Sequence, residues 1–352
     1  MHRQDSDERQ RILVIRAGAL GDCVLMLPVL AALRAHFPRA RIDVMGYPMR
    51  WVWIQGRGIV DEVHAIERPG MHLMFCEGAA LPASLAALLG GYDTVLSYRP
   101  DPEGTFAANL CKLGVRGVLS QSPFPPPPPP KVHVADHALR LTAAWGVLPP
   151  TATPRLHASA AERASARPFF LEHGIDPGRD RLVVLHPGSG GESRRWPIER
   201  MAVLARALGA QARVRIVIVT GYAEQGVATR LLPLIATGDP LVAENWPLPP
   251  TIGLMAHAAV FVGNDSGLTH LAAAFDRPTV AIFGPSDPEV WGPRGARVTI
   301  VQARGVREAG SGRASAGSEV PWPDVAPVLH AARSWLEAAD LRQSRDDRSG
   351  KA

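Results

Sequence analysis

Apolar positions along the chain fall into short unbroken runs separated by longer segments of helical spacing. Arg11–Arg16 (RILVIR), Ile42–Met45, Tyr92–Ser97, Arg181–Leu185, Val214–Val219, Val260–Val262 and Thr279–Phe283 are such runs. Each reads as a strand buried on both faces, as parallel strands are. Val60–Ile66 alternates and reads as a further strand. Helices are expected at Cys23–His36, with Pro28 kinking it, and at Leu81–Leu89, His133–Trp145, Ile198–Leu208, Gln225–Leu234, Thr251–Ala258 and Asp324–Leu341. The last places Val325, Val328, Leu329, Ala332, Trp335 and Leu336 on one stripe. Strand and helix alternate, stop, and begin again, which predicts an α/β protein with two parallel sheets and right-handed crossovers.

The break between the two series is rich in proline. Pro123 and Pro125–Pro130 form a stiff, extended, exposed spacer. A partner that reads PxxP is the alternative. Gly146–Pro154 reads as the domain boundary. At 352 residues the chain is long for one core. The expected division is an N-terminal domain over 1–150, a C-terminal domain over 151–323, an amphipathic helix over 324–341 and a disordered tail over 342–352. Ala303–Ser318, rich in Gly, Ser and Ala, is expected to be mobile.

Composition narrows the class. Hydrophobic residues make up 46% and charged residues 20%, which is globular composition. The three cysteines, Cys23, Cys76 and Cys111, include no CxxC pair, so a disulfide framework or structural zinc site is not expected and a reducing compartment is. The first ten residues are polar, without signal-peptide character, and no apolar run reaches the ~18–20 residues that span a bilayer. Net charge is +5, which favours anionic partners: nucleic acid, an anionic membrane face or a phosphorylated substrate. Nucleic acid is the poorest of these, because no basic run with interleaved aromatics occurs.

Candidate chemistry gathers in three polar loops at predicted strand ends: Gly18–Asp22, His186–Trp196 and Asn264–His270, with Glu224 near them in order. In the third, Asn264, Asp265 and Ser266 all favour a helix N-cap, and Gly267 opens the next turn. A bare helix N-terminus there offers N–H groups and partial positive charge to a phosphate. The plain alternative is a capped helix of any parallel α/β domain. No GxxxxGK[ST] occurs, and Gly18-x-x-Gly21 is only a fragment of a dinucleotide fingerprint. His133 and His137 stand at i,i+4, but no third ligand or HExxH glutamate accompanies them, so no metal site is expected.

The segments ILVIRAGALGDCVLMLPVLAALRAHFP, LHPGSGGESRRWPIERMAVLARAL and VGNDSGLTHLAAAFDRPTVAIFGPSDP closely resemble glycosyltransferase family 9, the ADP-heptose:lipopolysaccharide heptosyltransferases. The resemblance runs in order from about Arg11 to about Pro293 and is most specific in D-[ST]-G-x-x-H-x-A-A followed by GP[ST]DP. It implies a GT-B fold, two Rossmann-like doubly wound domains facing a central cleft, acceptor on the N-terminal side and donor on the C-terminal side. It further implies Asp22 as general base, with Gly18 and Gly21 in the acceptor-side turn. Arg194 stands where relatives carry lysine and would offset charge on the ADP leaving group, with Arg195 as the alternative cation. Gly188, Ser189, Glu224, Asp265, Ser266, Gly267, Leu268 and His270 would bind the donor, Glu224 at the ribose.

The implied reaction moves a heptose from ADP-heptose to an anionic glycolipid acceptor with inversion. It uses no metal or cofactor beyond the ADP-sugar substrate, and proceeds in a cytoplasmic monomer with peripheral contact to the inner membrane. The competing readings are a sugar-nucleotide epimerase of the same fold and a non-catalytic nucleotide-sugar-binding homologue. Trp51, Trp53, Met71, Met74 and Phe75, in the acceptor-side loops, are open to two roles, touching lipid or sugar, or filling a core.

Overall fold

A computed structural model describes residues 10–147, 153–235, 239–303 and 321–349. The chain forms two compact units, one through Thr153 and one from Pro154 onward.

The first unit is a five-stranded sheet of β1 (Arg11–Ile15), β2 (Arg41–Gly46), β3 (Glu62–Ala65), β4 (Thr94–Ser97) and β5 (Gly117–Ser120). Its order is β3-β2-β1-β4-β5 and all pairings are parallel. The second unit is a six-stranded sheet of β6 (Arg181–His186), β7 (Val214–Thr220), β8 (Leu241–Glu244), β9 (Ala258–Asn264), β10 (Thr279–Phe283) and β11 (Val298–Gln302). Its order is β11-β10-β9-β6-β7-β8, again all parallel. Both are doubly wound: strand order reverses between β1 and β4 in the first sheet and between β6 and β9 in the second. At such switch points the loops leaving the carboxyl ends diverge and open a crevice.

The central strands are the apolar runs of the sequence, and Ile12–Ile15 and Leu182–Leu185 are all buried. Three strands that the runs do not reveal, β5, β8 and β11, lie at sheet edges, where most positions are half-buried or exposed. An edge strand with a wet face carries no continuous apolar run, which is why pattern alone passes over it.

Three helical expectations change, and one loop with them. Cys23–His36 is two helices, Leu20–Val24 and Leu27–His36, because Pro28 sits at the second residue of the latter and starts it instead of kinking one long helix. The Gly18–Asp22 loop therefore narrows to Ala17–Ala19, with Gly21 and Asp22 already helical. His133–Trp145 is an α-helix over Val134–Leu139 and a 3₁₀ turn over Thr142–Trp145. The C-terminal helix runs Val325–Ser349, through most of the tail expected to be disordered. No Gly or Pro interrupts the sequence between Pro327 and Gly350, and Gly350 stands where a helix commonly stops. Of Ala303–Ser318, expected to be mobile, all but Ala303 lie outside the described residues.

The amphipathic stripe of the last helix docks on the second unit, with Val328, Ala332 and Leu336 buried in the same core as Leu185, Leu204 and Val262. In the first unit Trp51, Trp53, Met71 and Met74 are buried and Phe75 packs partly against the core, stacked on Phe106. The structure decides these residues in favour of packing.

Candidate active site

In the first unit the chain leaves β1 through Arg16 and turns at Ala17–Ala19 into the helix Leu20–Val24. Asp22 is the third residue of that helix and its Oδ2 accepts the Ala19 N–H at 2.7 Å, the carboxylate half of a capping box. A Cβ on Gly18 would stand 2.7 Å from the Asp22 Cβ, so only glycine lets the turn fold this closely over the carboxylate. Gly21 is buried one residue earlier. The exposed Arg50 donates from Nη1 to the Gly18 carbonyl at 2.6 Å and stacks over Tyr47, bracing the same turn. Asp22 also faces a small pocket lined by Met26, Tyr98, Pro123 and Ala138. The proline segment is thus one wall of the Asp22 pocket as well as a connector. It is tied down by Gln121 Nε2 donating to the His137 carbonyl at 2.7 Å and by His137 Nε2 at 2.9 Å from the Ser122 carbonyl. His133 accepts the Ala135 N–H and caps its helix. The i,i+4 histidines therefore have structural partners.

Cys23, next to Asp22, is buried; desolvation first and the neighbouring carboxylate second push its thiol pKa far above the ordinary range. It stays protonated at neutral pH and is no nucleophile.

In the second unit the loops after β6 and β9 meet at the switch point, where His186 pairs with Gly263 across the strands. Asn264, fully buried, joins them: its Oδ1 accepts the Trp196 N–H at 3.1 Å and its Nδ2 donates to the carbonyls of Pro187 and Gly188 at 2.8 and 3.1 Å. Ser189 Oγ donates to the Asp265 carbonyl at 2.8 Å. Ser266 is the N-cap of helix Gly267–Ala274, its Oγ facing the Thr269 N–H and hydroxyl. Both serine hydroxyls thus have partners inside the protein, and the helix beyond them starts with the half-buried Gly267 and Leu268.

Charge at that helix start is arranged around Asp265. Its Oδ2 accepts from Ser286 Oγ at 2.7 Å and from Arg194 Nη1 at 3.4 Å, and its Oδ1 lies 4.0 Å from His270 Nε2. The Arg194 side chain is 41% exposed, so its other donors reach solvent. Arg195 turns away and donates to the Ala223 carbonyl. Glu224 is buried, accepts the Gly221 N–H at 2.9 Å and packs against Gly188 so closely that a Cβ there would overlap its side chain. His186, buried beneath this loop, has its pKa lowered by desolvation, and its Nδ1 lies 2.9 Å from the Val219 carbonyl. It is a neutral hydrogen-bonded core histidine.

The tertiary structure also assembles a carboxylate–histidine group that no sequence spacing announces. Asp43, Glu62 and His64 each place a ligand atom within 4.8 Å of the others. Arg41 bonds both Asp43 and Glu62, and the Tyr92 hydroxyl donates to Asp43 at 2.7 Å while lying 2.9 Å from His64 Nε2. With a guanidinium already between the carboxylates, this is an ion-paired network bracing β2 and β3. It lies on the strands, away from their carboxyl-terminal loops.

The family model for glycosyltransferase family 9 (heptosyltransferase) matches residues 123–313. The chain belongs to glycosyltransferase family 9. Lipopolysaccharide heptosyltransferase 2 of Salmonella typhimurium is 25% identical over 354 residues, which take in 93% of this chain and 98% of that relative. The crystal structure of a family 9 glycosyl transferase from Veillonella parvula superposes with a TM-score of 0.75 at 21% identity, over 94% of this chain and 98% of that one. The E. coli ADP-heptose lps heptosyltransferase II gives 0.70 at 20% identity, over 94% and 100%. The fold is GT-B, two Rossmann-like units, and the protein is a glycosyltransferase.

Within this family 9 member, each predicted site residue falls at a switch point or beside one. Arg194, Ser189, Asp265 and His270 converge in the second unit, with Glu224 at Gly188; Asp22, Gly18 and Gly21 converge in the first. Three contributors escape the pattern: Arg16, Asn264 and Ser286. All three lie inside the segments quoted above, so the sequence flags the segment but not the partner. Among the described residues no helix is long and apolar enough to cross a membrane.

Proposed function

We propose that this chain transfers a heptose from ADP-heptose to a lipopolysaccharide-core or related glycan acceptor, with inversion at the anomeric carbon. The carrying observation is the start of helix Gly267–Ala274 at the β6–β9 switch point, with the Arg194 guanidinium beside Asp265. That arrangement suits a diphosphate leaving group: two N–H donors, a helix dipole and a half-exposed cation. Gly188 and Ser189 shape the loop on one side, and Leu268 and His270 the helix on the other. Glu224, next to Gly188, is assigned to the ribose hydroxyls; its Oε2 accepts the Gly221 N–H, and a carboxylate keeps acceptor capacity beyond that one bond.

The acceptor hydroxyl attacks the anomeric carbon as the bond from that carbon to the diphosphate oxygen breaks. ADP leaves with the electron pair, offset by Arg194 and the helix start. Asp22 takes the hydroxyl proton; each of its oxygens keeps a second lone pair beyond the hydrogen bond it already accepts. A single displacement from the opposite face gives inversion. Charge balance is met by protein groups, so the reading needs no metal. A net charge of +5 suits a phosphorylated glycolipid acceptor and peripheral contact with an anionic, cytoplasmic membrane face.

The test is transfer of heptose from ADP-heptose to lipopolysaccharide truncated before its heptoses, with wild type and Asp22→Asn. Transfer that falls by ~10²-fold or more in a folded Asp22→Asn variant supports the reading. Wild-type turnover in that variant sinks the base assignment, and isomerised ADP-sugar released without acceptor favours an epimerase. Thermal stabilisation by UDP- or GDP-sugars in preference to ADP-sugars sinks the donor assignment.

A further inference from the structure

The Asp22 carboxylate is held from two sides, and one holder is a buried cation. Arg16, the residue leaving β1, is 3% exposed, and its Nη2 donates to Asp22 Oδ1 at 2.8 Å. The Ala19 N–H holds the other oxygen. Among the described residues Asp22 is the carboxylate with which Arg16 pairs. Burying a guanidinium is unfavourable unless a partner compensates it. The β1 packing itself is apolar, Ile12–Ile15 being fully buried, and asks for no cation at its end. Arg16 also stands at the β1–β4 switch point, where the Tyr98 N–H bonds the Ile15 carbonyl and Arg16, Asp22 and Tyr98 line one pocket. Its position is explained by the carboxylate it meets.

We propose that Arg16 is a positioning residue for Asp22, fixing the carboxylate in the one rotamer that faces the acceptor pocket. The inference rests on Asp22 acting as the base. Arg16 touches no reacting atom; it acts through Asp22. Two anchors, one on each oxygen, leave the carboxylate no free rotation about χ2 but keep a lone pair open for the proton. A base displaced by an ångström loses about 10²-fold in rate, so the loss of one anchor belongs in kcat.

The experiment measures kcat and donor KM for Arg16→Met, Arg16→Lys, Asp22→Asn and the double variant Arg16→Met/Asp22→Asn. ADP-heptose is the donor and heptose-deficient lipopolysaccharide the acceptor, with folding checked by thermal melting. Arg16→Met should lower kcat by ~10–100-fold with donor KM unchanged, and Arg16→Lys should recover part of it. In the Asp22→Asn background Arg16→Met should add no further loss, because a residue that acts through Asp22 has nothing left to position. Multiplicative losses in the double variant, or a loss carried by donor KM, overturn the proposal. If Arg16→Met fails to fold, Arg16→Gln replaces it, and equal kcat in Arg16→Lys and Arg16→Gln overturns the proposal. An Asp22→Asn variant of wild-type turnover overturns the base assignment instead, so the two failures are distinct.

Discussion

Arg194 Nη1 stands 3.4 Å from Asp265 Oδ2, an oxygen already bonded by Ser286 Oγ at 2.7 Å. The carboxylate orients the guanidinium beside the start of helix Gly267–Ala274 without enclosing it, since the side chain is 41% exposed. Arg194→Ala should therefore lower kcat by ~10²–10³-fold, the usual cost of one charge-stabilising donor, while Arg194→Lys keeps activity within ~10-fold because the charge remains and only the fork is lost. Steady-state kinetics with ADP-heptose decides it; equal losses in the two variants would mean that the fork, not the charge, matters.

Asn264 is the pin of the loops after β6 and β9, spending its one carbonyl and its amide on three backbone groups of Trp196, Pro187 and Gly188. Asn264→Ala should destabilise the protein by roughly 2–4 kcal/mol, since buried groups lose their partners. Asn264→Asp should do no better, because it keeps an acceptor for Trp196 but no donor for the two carbonyls. Denaturant unfolding measures both, and an aspartate variant of wild-type stability would refute the assignment.

Gly188 has no room for a Cβ, because Glu224 fills that space. Gly188→Ala should cost about 1–3 kcal/mol by overpacking and raise donor KM, and Gly188→Ala/Glu224→Ala should regain most of the stability. The double variant also tests Glu224 at the ribose. Its donor KM should stay high although the clash is gone, and a return to the wild-type value would remove Glu224 from the donor site.

Asp22→Ala leaves Arg16 buried without its counter-ion. Side-chain exposures of 4% for Arg16 and 22% for Asp22 put the expected cost at about 2–4 kcal/mol, below that of a fully buried pair. Asp22→Asn, which keeps an oxygen for Arg16, should unfold closer to wild type. Thermal melting of the two variants separates them, and equal melting temperatures would show that the pair adds nothing to stability.

His186, His137 and His257 all have pKa values lowered from 6.5 by burial. The folded state therefore favours their neutral forms, and the unfolded state binds protons more readily as pH drops. Stability from these groups is complete above about pH 6.5 and is lost as pH falls through the lowered folded values. The melting temperature should decline on acidification below pH 6.5, and His186→Asn, which keeps a donor near the Val219 carbonyl, should flatten that decline. An unchanged slope would locate the acid sensitivity elsewhere.

Sequence by itself determined the class of fold, the central strands and the segments that carry the chemistry. A parallel strand buried on both faces must be an unbroken apolar run, and a loop that approaches a phosphate needs glycine and helix-capping residues in fixed order. Both signals are local, so β1, β6, β9 and β10 and the loops around Asp22, Ser189 and Asp265 were legible. The edge strands β5, β8 and β11 were not, because a half-wet strand has no such run. Long-range partners were illegible for a different reason. Asn264 with the Gly188 loop, Glu224 against Gly188, and Asp43 with His64 are pairings across a sheet or between its loops. They depend on which strands become neighbours, and strand order is a property of the folded chain alone. The serine hydroxyls show the same limit. Ser189 and Ser266 have the chemistry to bind a phosphate, but only the folded chain shows that their hydroxyls already have backbone and side-chain partners.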